Sequence, residues 1–167
     1  MSTPFVAIVM GSDSDLPVME ASFEILKKFN IPFEVRITSA HRTPAAAKAF
    51  VEDADKRGCA AFIAAAGMAA HLAGAVSATT VKPVIGVPMN ASLDGLDALL
   101  STVQMPAGIP VATVAIGKAG AKNAAYLAAQ IIGVSNPAVA EALRAERAEN
   151  AAAIEEKNAA LQAQLKG

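Results

Sequence analysis

Five short apolar runs, interleaved with stretches of helical period, constrain the fold of this chain more than any other feature. Phe5–Met10, Phe33–Thr38, Ala60–Ala65, Val84–Val87 and Val111–Ile116 are mostly β-branched and bounded by Gly, Pro or Ser, which predicts strands. Between them the apolar spacing predicts helices over about Leu16–Phe29, Pro44–Arg57, Ala70–Thr79, Leu93–Val103 and Lys118–Ile132. Thr43-Pro44 reads as a cap with proline at the first helical position, and Gly58 as a stop. Strand and helix alternate throughout. Parallel crossovers need a dozen or more residues and turn right-handed, so the alternation predicts a parallel sheet with helices on both faces. The strands read as apolar throughout, as in a sheet covered on both sides. The expected fold is α/β: a flavodoxin-like or Rossmann-like three-layer αβα sandwich, with ligands bound beyond the carboxyl ends of the strands.

A composition shift at Asn136-Pro137 ends this pattern. From there to Gly167 the chain is rich in Ala, Glu, Arg, Gln and Lys. Asn136 suits an N-cap and Pro137 a first helical residue, so one long helix is expected. The chain thus divides into residues 1–135, a catalytic domain, and residues 136–167, a helical extension. At 100° per residue Val139, Leu143, Ile154, Leu161 and Leu165 fall within an arc of about 80°. A helix ending near Leu165 would run roughly 43 Å, longer than such a domain is wide. Such a helix cannot bury its stripe wholly on its own domain; a frayed, alanine-rich terminal helix is the plainer reading, against which the stripe is sustained to the last turn.

Composition excludes several classes. The chain has 14 basic against 15 acidic residues, which argues against a nucleic-acid binder. A single cysteine and two histidines cannot build a disulfide framework or an ordinary structural zinc site. Cys59 has no basic neighbour beyond Arg57 and reads as structural. The high apolar content comes largely from 40 alanines, which favour helices and close backbone packing. Cys59–Val76 approaches the length of a membrane span, yet it is Ala- and Gly-rich and carries His71; a strand, a turn at Gly67 and a helix account for it better. With no basic leader and cleavage site, a cytoplasmic protein is expected.

The chemistry-bearing residues follow the first three strands. Gly11-Ser12-Asp13-Ser14-Asp15 comes after the first, Ser39-Ala40-His41-Arg42 after the second, and Gly67-Met68-Ala69-Ala70-His71 after the third. Both histidines therefore fall on one sheet edge. Exposed amides and hydroxyls where Gly11–Asp15 enters a helix suit a phosphate or ribose; plain capping by Ser14 or Asp15 is the other reading. Neither a dinucleotide fingerprint nor a Walker loop is present. A phospho-receiver would need an aspartate after the third strand, where this chain has Ala66. Arg42 can fork onto a phosphate. His41 beside it suits a general acid–base, against the plainer reading of an exposed loop histidine. His71 lies in an apolar segment and reads equally as a buried helix histidine or as a site residue.

Taken in order, VAIVMGSDSD, SAHRTP, AAHLAG, PVIGVP and VQMPAGIPVATVAIG resemble the bacterial 5-(carboxyamino)imidazole ribonucleotide mutases, also called the catalytic subunit of phosphoribosylaminoimidazole carboxylase. The resemblance covers roughly Val6 to Ile132. It implies a flavodoxin-like fold and de novo purine biosynthesis. Ser12 and Asp15 would bind substrate, with Asp15 on the ribose hydroxyls and Asp13 a weaker contact. Ser39 and Arg42 would hold the phosphate, and His41 would be the acid–base. Gly67 and His71 would lie against the imidazole and its carboxylate. Met68 and Ala73 stand where the family carries a glycine and a proline. The resemblance further implies no metal and no cofactor, and a homo-octamer. A carboxylase acting on aminoimidazole ribonucleotide and free CO2 is the alternative; a non-catalytic nucleotide or flavin module is disfavoured because Tyr126 is the sole residue among Trp and Tyr.

Overall fold

The computed structural model describes residues 4–166. A five-stranded sheet runs in the order β2-β1-β3-β4-β5, with every neighbouring pair parallel. The strands are β1 (Phe5–Met10), β2 (Phe33–Ile37), β3 (Cys59–Ala66), β4 (Val84–Pro88) and β5 (Ala112–Thr113). Five helices follow them in turn: α1 (Leu16–Lys28), α2 (Pro44–Lys56), α3 (Leu72–Ser77), α4 (Leu96–Val103) and α5 (Lys118–Gly133). Helix α6 (Pro137–Lys166) closes the chain. The strand order reverses between β1 and β3, which makes the carboxyl edge there the natural ligand crevice.

The two-residue period of the strands divides the core into layers. Val6, Ile8 and Met10 of β1, with Ile63 of β3 and Ile85 of β4, pack under α1 and α5. Phe5, Ala7 and Val9, with Phe62 and Ala64, pack under α2 and α3. The alanines explain the first layer. Ala121, Ala124, Ala125, Ala128 and Ala129 of α5 are fully buried, and the Ser22 hydroxyl of α1 donates to the Ala121 carbonyl. Small side chains let α1 and α5 approach closely over the sheet.

The edges of the sheet depart from the expected pattern. β1, β3 and β4 are buried on both faces, but β2 is partly exposed, with Val35 and Ile37 open to solvent. As an edge strand it carries charged Glu34 and Arg36 beside its apolar residues. β5 is much shorter than Val111–Ile116. Val114 N still donates to Gly86 O and Gly117 N to Pro88 O. Between them Ala115 lies against the start of α5. A Cβ on Gly120 would lie 1.5 Å from the Ala115 carbonyl oxygen, so only glycine allows that approach.

Helix starts differ in detail too. α3 begins at Leu72 rather than Ala70. The segment Leu93–Gly95 is a 3-10 turn with Leu93 at φ 45° and Asp94 at φ 55°. Asn136 caps α6, accepting from Ala138 N at 3.1 Å. Val139 and Leu143 are buried. Glu146 is buried as well and takes Lys28 Nζ and the Tyr126 hydroxyl. From Arg147 to Lys166 every residue is exposed, including Ile154, Leu161 and Leu165.

Candidate functional site

Four of the five strands, β1 to β4, deliver a loop to the carboxyl edge. The β1 loop is built by a reciprocal cap. Ser12, in extended conformation, accepts from Ser14 N at 3.2 Å, and Asp15 Oδ2 accepts from Ser12 N at 3.2 Å. This is a capping box, made by Ser12 rather than by Ser14. The Ser12 hydroxyl also donates to Asp13 Oδ1 at 3.1 Å. Asp13 is exposed and Asp15 partly buried. Burial raises the Asp15 carboxyl above its ordinary range, opposed by the amides of Ser12 and Gly11 and reinforced by the neighbouring Asp13 charge.

The β2 loop is a turn organised around Ser39. Its hydroxyl accepts from His41 N at 3.3 Å and Arg42 N at 3.1 Å. Thr43, expected as the side-chain cap of α2, makes no such bond. Its Oγ1 accepts from Ser39 N at 2.9 Å and lies 3.1 Å from Thr38 Oγ1. It is therefore spent on bracing the turn. Arg42 is exposed and enters no salt bridge among the described residues. A guanidinium free of carboxylates can fork onto an anion.

The β3 loop brings the second histidine across. His71 is neither buried nor inside a helix; it precedes α3 and is exposed. Its Nδ1 lies 2.8 Å from His41 Nε2, with the rings edge-on at a centroid distance of 5.0 Å. Two imidazoles hydrogen-bonded in this way hold one proton between the facing nitrogens. The tautomers are set as a pair, and each ring orients the other. His71 N donates to Ala69 O at 2.8 Å, a tight turn that aims the ring back toward β2.

A fourth loop joins the three that the sequence points to. After β4, Met89–Gly95 packs against the β3 loop: a Cβ on Gly67 would sit 3.0 Å from Ala91 Cβ. Asn90, Ser92 and Leu93 thereby reach the same edge, with Asn90 and Leu93 exposed. Their position after a strand's carboxyl end was the available signal. Cys59 stands apart. It is buried at the start of β3, where its thiol donates to Ala61 O and burial pushes it up to about 11. Among the described residues no helix is long and apolar enough to cross a membrane.

Comparison with known proteins agrees with this arrangement. The AIR carboxylase family matches residues 5–153. The chain is 53% identical over 155 residues to the N5-carboxyaminoimidazole ribonucleotide mutase of Pyrococcus horikoshii, covering 92% of this chain and 86% of that protein. It is 59% identical over 137 residues to the phosphoribosylaminoimidazole carboxylase of Ogataea methanolica, covering 81% of this chain but 25% of that longer protein. The crystal structure of Treponema denticola PurE superposes with a TM-score of 0.85 at 32% identity, over 93% of this chain and 97% of that one.

Proposed function

The chain belongs to the AIR carboxylase family, and from that premise we propose its reaction and the part each residue plays. It is an isomerase of purine biosynthesis. It moves a carboxylate from the exocyclic nitrogen of 5-(carboxyamino)imidazole ribonucleotide to the ring carbon, giving 4-carboxy-5-aminoimidazole ribonucleotide. The observation that carries the mutase reading is coverage: the chain spans most of the mutase's length and only a quarter of the longer carboxylase's.

The site residues take the following parts. Arg42 and the Ser39 hydroxyl hold the phosphate. Both are presented by a turn that Thr43 braces, so little order has to be acquired on binding. Ser12 and Asp15 face the ribose, with Asp13 at the margin of the same loop. Gly67, whose lack of a side chain lets the β3 and β4 loops pack together, lies against the imidazole through its backbone, and His71 meets the carboxylate. His41 carries the proton.

In the reaction the bond between the exocyclic nitrogen and the carboxylate carbon breaks. Nitrogen keeps the electron pair and takes a proton from His41, and CO2 is released beside the ring. The ring carbon then forms its bond to CO2, and the proton displaced from that carbon returns to His41. The proton count closes, as an isomerisation requires. Holding phosphate and ribose at fixed points keeps the ring beside the released CO2.

We further propose that the enzyme works in the cytoplasm as a homo-octamer, residues 1–135 forming the catalytic domain and residues 136–167 an assembly element. Two uncovered apolar surfaces support this: the outer part of α6, and a stripe on α4 formed by Leu96, Leu100 and Val103, which are 53%, 49% and 43% exposed. The deciding assay supplies purified protein with each ribonucleotide separately, without ATP, and follows the carboxylated product by absorbance. Rapid conversion of the carboxyamino compound is expected. Conversion of only the unsubstituted ribonucleotide with bicarbonate would overturn the mutase assignment.

A further inference from the structure

The sequence of β2 complements its own reverse. Phe33-Glu34-Val35-Arg36-Ile37 sets large apolar residues at both ends and the centre, with an acid and a base between them. Among the described residues β2 pairs with β1 alone, so its far side is an open edge. Val35 and Ile37 are 39% and 53% exposed there. The ladder decides which backbone groups face outward. Val6 N donates to Pro32 O and Thr38 N to Met10 O, so the even-numbered residues of β2 direct their backbone groups at β1. Phe33, Val35 and Ile37 direct theirs away from the sheet.

We propose that this edge docks β2 of a second copy of the chain, antiparallel, in the register centred on Val35. That register matches every outward backbone group. Phe33 meets the partner's Ile37, and Val35 meets the partner's Val35, in hydrogen-bonded pairs. Glu34 then faces the partner's Arg36 twice over, at the non-hydrogen-bonded positions where side chains come closest. The neighbouring registers, centred on Glu34 or Arg36, set like charges face to face. Glu34 is held in place by Arg57, and Arg36 enters no salt bridge among the described residues. The contact is isologous and closes on itself, so it gives a pair and no open-ended sheet, which answers the hazard of an exposed edge. It uses neither α4 nor α6, and it does not depend on the reaction.

Cysteine cross-linking reads the register. In the proposed pair the two copies of position 35 lie about 5.5 Å apart between Cα atoms, within reach of a disulfide. The two copies of position 36 lie roughly 8 Å apart, beyond that reach. Val35→Cys and Arg36→Cys are oxidised mildly beside wild type, whose own Cys59 is buried, and run on non-reducing denaturing gels. Val35→Cys should form covalent dimer about tenfold faster than Arg36→Cys. Adding Arg36→Glu to Val35→Cys should slow the joining about tenfold, because both ion pairs become repulsions, and adding Arg36→Lys should leave it unchanged. Equal rates for the two cysteines, or faster joining at position 36, overturn the proposal. So does a rate at position 35 that Arg36→Glu does not lower, or that Arg36→Lys lowers as far. A wild type that is monomeric by light scattering overturns it as well.

Discussion

Asp15→Asn separates a structural role from a binding role within one side chain. In the folded protein Asp15 Oδ2 accepts from Ser12 N at 3.2 Å, a bond that an asparagine carboxamide oxygen can keep. What the substitution removes is the charge. The carboxyl is raised from its ordinary value chiefly by burial, so the folded state binds its proton more tightly than the unfolded chain does. Stability linked to this group is therefore present below the unfolded value and falls as pH rises through the folded one. At neutral pH the ionised carboxylate is a liability to the fold, and Asn relieves it. Binding moves the other way. A hydrogen bond to a charged group contributes about 1.5–3 kcal/mol, so loss of the ribose contact should weaken affinity about 10- to 150-fold. Titration calorimetry with the carboxylated product and urea unfolding of both proteins measure the two sides. The expected result is weaker binding with an unchanged or higher midpoint. Unchanged affinity would refute the ribose role; a midpoint well below wild type would show that the carboxylate serves the turn alone.

His41→Asn should lower kcat by about 10²–10⁴ while leaving unfolding unchanged, because it removes a proton carrier that is exposed and packs no core; a variant near wild-type rate would dismiss His41 as the acid–base. Truncation tests the tail best after Ala148, since Val139, Leu143 and Glu146 belong to the domain's own packing. Light scattering should show particles smaller than octamers with the fold retained, and a mass per particle reduced only by the lost residues would count against an assembly role. Cys59, with its thiol at about 11, should carry only about one thiolate per thousand at pH 8 and react with a maleimide far more slowly native than unfolded. Comparable rates in the two states would contradict its burial.

Much of the fold was legible because its signals are local. FVAIVM is apolar at every position and forms the buried β1, and Asn136-Pro137 begins α6 as that pair of residues should. The two edge strands were harder. FEVRIT and VATVAI look alike in length and bounds, but the first sits at an open edge and the second is cut short by α5 at Ala115. Which strand lies at an edge is a property of the whole sheet and not of a window of residues. The site divided in the same way. The loops carrying Ser12, Asp15, His41, Arg42 and His71 could be placed on one edge from strand order alone. That His71 would leave its helix and meet His41 could not, because that contact depends on a turn at Ala69 bringing together residues thirty positions apart. The β4 loop was missed for want of a catalytic-looking motif, and left-handed Met68 and Leu93 are residue types that give no warning of positive φ.

The length of α6 that extends past Glu146 carries one more implication. Helices without tertiary contacts are marginal in water, even when rich in alanine. The exposed stretch Arg147–Lys166 would, in a lone protomer, fluctuate between helix and coil with little resistance. In the proposed octamer, order there would be governed by mass action: dilution would melt this segment long before it loosened the sheet, and the concentration at which it melts would report the strength of that association.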